Sequence, residues 1–76
     1  MGEVADRFFD EEANEHVRRV LTDEIGSRTA GSRYFTFNIF NVRIDVDAGV
    51  VTIEDELDPT CDESVSLEEF AARLGA

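Results

Sequence analysis

Catalysis needs a nucleophile, a metal-binding set or a base held near a reacting group. This 76-residue chain offers one histidine, His16, one cysteine, Cys61, and one tyrosine, Tyr34. The three are far apart in sequence. His16 falls on the polar side of an amphipathic stretch, Cys61 lies among carboxylates that raise a thiol's pKa, and Tyr34 opens a strand-like run. Cys61 has no second cysteine for an internal disulfide and no Cys or His at metal-ligand spacing. The expectation is a non-enzymatic protein without a cofactor.

Carboxylates are the abundant reactive groups. Asp45, Asp47 and Glu56 occupy the first, third and twelfth positions of a calcium-loop pattern. Gly49 then takes the fifth position, where an acid or amide is usual, and Val50 takes the sixth, where glycine is required. The flanks alternate as strands do, so the segment reads as a hairpin with acidic outer positions.

Eighteen acidic residues face seven basic ones, all arginine, for a net charge of −11. Residues 1–43 hold eight acids and six arginines, a balance of −2, whereas residues 44–76 hold ten acids and Arg73, a balance of −9. Acidity that served solubility alone would spread over the whole surface. Its concentration in the second half nominates a partner-binding set: Asp45, Asp47, Glu54, Asp55, Glu56, Asp58, Asp62 and Glu63. Strand residues two apart recur at about 7 Å, comparable to the spacing of phosphates along a nucleic-acid strand.

Such a surface disfavours direct binding to nucleic acid or to an anionic membrane, and fits a basic partner, a nuclease or CRISPR effector among them. In size and charge the chain is similar to small phage-encoded anti-CRISPR proteins and restriction inhibitors. That similarity implies an inhibitor that mimics nucleic acid and occupies a positive site. Two alternatives stay open: an immunity protein or antitoxin that neutralises a nuclease toxin, and a small homodimeric structural or regulatory domain whose acidity serves solubility.

The elements that must position these acids make one α+β domain, residues 1–76, in the order αβββα. Ala13, Val17, Val20, Leu21 and Ile25 recur at helical spacing, so a helix is expected over 10–25, with Asp10 as N-cap and Gly26 as its stop. Residues 26–33 read as a connector. Antiparallel strands are expected over 34–57, forming a sheet of two or three strands. Phe35, Phe37 and Ile39 alternate, and the phase then slips near Phe40-Asn41, at a bulge or a turn. A hairpin turn at Asp47-Ala48-Gly49 would set Val46 opposite Val51, Ile44 opposite Ile53 and Arg43 opposite Glu54. Asp58-Pro59 is expected to end the strand and Thr60 to Val65 to form an acidic loop. Ser66-Leu67-Glu68-Glu69 is a capping box that opens a helix over 66–74. No run of about 18 apolar residues is present and the first residues are acidic, so a cytoplasmic protein is expected.

Overall fold

The computed structural model describes residues 2–27 and 29–75, with Pro59 described in its backbone only. Within these residues lie three helices and four strands. The first helix, α1 (Glu3–Glu11), buries Ala5, Phe8 and Phe9, the i, i+3, i+4 stripe of an amphipathic helix. It ends at Glu11, where the Phe8 carbonyl accepts from both Glu12 N at 2.9 Å and Ala13 N at 3.0 Å; the chain then turns and a second helix starts. This is α2 (Glu15–Ser27), which buries Val17 and Leu21. Its start is fixed by Asn14, whose Oδ1 accepts from Val17 N at 2.9 Å.

The single helix expected over 10–25 is therefore two helices. Asp10 sits inside α1 rather than at an N-cap, and Gly26 lies within α2, which continues to Ser27. The four-residue spacing of Ala13, Val17, Leu21 and Ile25 is real on the core side, but Ala13 belongs to the turn.

The sheet is an antiparallel meander, β1 (Ser32–Phe37), β2 (Phe40–Asp45), β3 (Val50–Asp55) and β4 (Asp58–Ser66), in that spatial order. The phase slip is a turn. Phe37 pairs with Phe40 across Asn38-Ile39, and Asn38 takes the left-handed conformation at φ 53°. The β2–β3 register differs from the expected one by two residues: Ile44 faces Val51, Val42 faces Ile53, Arg43 faces Thr52 and Asn41 faces Glu54. The turn spans four residues, Val46 to Gly49, with Gly49 at φ 68°. A shift of two keeps every side chain on its face, so the inward set survives while the cross-strand partners change.

The expected acidic loop over 60–65 is instead strand β4, which pairs with β3 from Val50 opposite Ser66 to Asp55 opposite Asp58. Proline near the start of an edge strand is tolerated because no neighbour needs its missing N–H. The chain then enters α3 (Leu67–Leu74). Ser66 Oγ accepts from Glu69 N at 3.0 Å, and Gly75 closes the helix in the left-handed conformation at φ 85°.

All three helices take part in one core, and α1 and α3 pack on β3 and β4. Phe8, Phe40 and Phe70 are fully buried. Phe8 lies 5.7 Å from Phe40 and 6.2 Å from Phe70, ring centre to ring centre. Phe40, Val42 and Ile44 of β2 with Val51 and Ile53 of β3 form the sheet's inner face. Its other face is polar and open to solvent.

Candidate interaction surface

The alternation that buries Val42, Ile44, Val51 and Ile53 turns Arg43, Thr52 and Glu54 outward, and pairing brings Tyr34 of β1 and Asp62 of β4 to the same open face. These five residues line a depression of about 300 Å³. Glu54 and Asp62 stand directly opposite each other across β3 and β4. Like charges in that position repel, and the Asp62 carboxylate makes no hydrogen bond or ion pair with any described residue. Tyr34, 52% exposed, donates its hydroxyl to Glu54 Oε1 at 2.8 Å. That bond pushes the tyrosine pKa up, helped by desolvation and by the charges of Glu54 and Glu56, against the opposing pull of Arg43.

Arg43 makes no ion pair with any described residue. Asn41 lies between Thr36 and Glu54 in the register, and its buried Oδ1 has no donor among the described residues. Close by, the β3–β4 turn carries exposed Glu56 and Leu57, the latter 77% exposed. Asp58 follows. It accepts from Thr60 Oγ1 at 2.6 Å, Thr60 N at 3.2 Å and Cys61 Sγ at 3.1 Å. The Thr60 hydroxyl, then the Cys61 thiol, then the Thr60 amide hold the Asp58 carboxyl below its usual range. The same contact with Asp58, followed by burial and the surrounding acids, raises the Cys61 thiol.

The eight nominated acids thus divide three ways. Glu54, Glu56 and Asp62 gather toward the β3–β4 end of the open face, while Asp58, at the same end, stands opposite the inward-facing Asp55 and beside Cys61. Asp45 and Asp47 lie at the opposite end of the sheet, about 14 Å along the strands at about 3.4 Å per residue. There Asp45 Oδ1 accepts from Ala48 N and Asp47 Oδ2 from Gly31 N, both at 3.1 Å, which holds the turn and ties it to the start of β1.

Asp55 and Glu63 point to the helix side and are structural, contrary to their nomination as partner-binding residues. Asp55 is 6% exposed; its Oδ2 accepts from Arg7 Nη1 at 3.1 Å and its Oδ1 from Leu57 N at 2.9 Å. Glu63 caps α1, accepting from Gly2 N and, at 2.9 Å, from Ala5 N. Reasoning from sequence missed Tyr34, Arg43 and Thr52 as members of the site. Strand alternation was the signal for them, once the register is correct.

Arginines balance the acids elsewhere: Arg7 pairs with Glu11 as well as Asp55, Arg19 with Glu15, and Arg73 with Asp6 at 2.7 Å. His16 is exposed on α2 beside Asn14, Glu15 and Arg19, in a depression of about 380 Å³. Asn14 is engaged as a cap there and Glu15 with Arg19 as an ion pair. Asp45 to Glu56 forms the β2–β3 hairpin, not a calcium loop. Among the described residues no three His, Cys, Asp or Glu side chains converge as a metal-binding set, and no helix is long and apolar enough to cross a membrane. Comparison of the chain with known protein families, curated proteins and solved structures returns no match.

Proposed function

We propose that this chain is a non-enzymatic binding protein whose open sheet face occupies the positive, nucleic-acid-binding site of a basic partner and thereby inhibits it. The observation that supports this most is the Glu54–Asp62 pair: two acidic residues directly opposite each other on the open face, with Arg43 in the same depression making no ion pair with either. A fold gains nothing from that repulsion, whereas a partner's arginine or lysine would relieve it. Exposed Glu56 on the adjoining turn adds a further carboxylate. A donor-rich surface is the complement such a site fits, and opposite potentials speed encounter and set orientation. Inhibitors of the anti-CRISPR and restriction type, and immunity proteins against nucleases, share this chemistry. The identity of the target separates them.

The test is capture with the tagged chain as bait from lysate of bacteria that carry nucleases and CRISPR effectors, beside bait bearing Glu54→Lys and Asp62→Lys. The reading expects a basic nucleic-acid enzyme retained by the parent, eluted at a defined salt step and lost with the double variant. Equal recovery on both baits would overturn the assignment of this face.

A further inference from the structure

The two edges of the sheet are built differently. Edge strand β4 carries Asp58, Asp62 and Glu63, a proline at position 59, and a register irregularity opposite Glu54 and Asp55. These are devices that keep an edge from pairing with another chain. Edge strand β1 has no proline, no register irregularity and a single charged side chain, Arg33. It reads Ser-Arg-Tyr-Phe-Thr-Phe, pairs regularly with β2 along all six residues, and is the one described strand without Asp or Glu. No described strand covers its outer side. On the helix side, the main helix contacts fall on β3 and β4, and Phe35 and Phe37 remain half-buried. Their rings stack in parallel with centres 5.8 Å apart, and the Arg33 guanidinium lies 5.2 Å above Phe35.

We propose that β1 is a homodimerisation edge: β1 of a second copy pairs with it in antiparallel fashion, joining two four-stranded sheets into one of eight. Charge selects both the edge and the occupant. A chain of net charge −11 repels its own copy, and it does so least along a strand whose one charged side chain is Arg33. A basic partner is drawn to the carboxylates at the far side of the sheet and finds none on β1.

A two-fold axis through Phe35 places Phe35 opposite its counterpart and Arg33 opposite the partner's Phe37. Each guanidinium then meets an aromatic ring of the other copy, and the half-exposed rings cover one another. The pairing also satisfies the outward N–H and C=O groups of both strands. The inference stands apart from the proposed inhibitor function. If both hold, the open faces merge and the two β3 strands lie five strand spacings apart, about 24 Å at 4.8 Å each, so the acidic surface becomes bivalent.

The experiment is sedimentation equilibrium of the intact chain from about 5 μM to about 1 mM, a range over which mass action populates a weak dimer, with amide hydrogen exchange read at both ends. The mass should rise from 8.5 kDa toward twice that value, and exchange of the Ser32–Phe37 amides should slow with concentration while that of β4 does not. Phe35→Lys should hold the mass at that of a single chain with an unchanged far-UV circular dichroism spectrum. A mass that stays at 8.5 kDa throughout, or a dimer whose formation leaves β1 exchange unaltered, would overturn the proposal whether or not the variant folds.

Discussion

A carboxylate pair kept for binding should cost the fold stability, and Asp62→Lys measures that cost. The substitution turns a like-charge cross-strand pair into an opposite-charge one at an exposed position, beside a Glu54 already held by Tyr34. Cross-strand charge pairs contribute roughly 0.2–1 kcal/mol each, with the sign reversed for like charges, so removing the repulsion and adding an attraction should gain about 0.4–2 kcal/mol. For a domain of this size each kcal/mol corresponds to a Tm rise of roughly 4–8 °C. The gain should shrink at about 1 M salt, where the screening length falls to about 3 Å. Thermal and urea unfolding at low and high salt give the numbers. A Glu54→Gln background tests the pair itself: the benefit of Asp62→Lys should largely vanish there, because the coupling partner is neutral. A variant less stable than the parent, or one whose gain is undiminished in the Glu54→Gln background, would refute the reasoning.

Three further outcomes follow from the same geometry. Phe8→Ala empties the centre of the aromatic cluster formed with Phe9, Phe40 and Phe70 and should cost about 3–5 kcal/mol, enough to unfold most of so small a domain at 37 °C, as circular dichroism would read. Asn14→Ala removes the cap of α2 and should cost about 1 kcal/mol, visible as a lower urea midpoint with an unchanged slope. Asp58 has its folded pKa depressed, mainly by Thr60, so its contribution is present above the ordinary carboxylate range and lost as pH falls through the folded value. Asp58→Asn should therefore flatten the acid limb of the stability curve. The same variant should also speed alkylation of Cys61 at pH 8, because Asp58 is the largest influence holding that thiol protonated.

What the sequence disclosed depended on how local the determining contacts are. Helix α3 was legible at both ends, because Ser66 and Glu69 form one cap within a single turn and Gly75 supplies the left-handed stop. The break between α1 and α2 was not, because the apolar spacing of four runs through it. Strand β4 was hidden for a physical reason: its inward position 63 holds a glutamate where an apolar residue would announce a strand, and that glutamate serves α1 some sixty residues away. Asp55 was indistinguishable from a surface acid until Arg7 of α1 was seen above it. Glu54 and Asp62 were legible as acids, but their opposition required the β3–β4 pairing. The expected hairpin register, off by two residues, had assigned Glu54 to Arg43 and so concealed the repulsion.

The most direct test of the central claim is competition on the captured enzyme. Labelled nucleic acid is bound to it, and its displacement is followed by fluorescence anisotropy as the chain is titrated in. The account predicts displacement by the parent, with the Glu54→Lys, Asp62→Lys variant needing at least about tenfold more protein, the loss expected when roughly 1.4 kcal/mol of binding is removed. Displacement at the same concentration by both, or a ternary complex that leaves the nucleic acid in place, would contradict it.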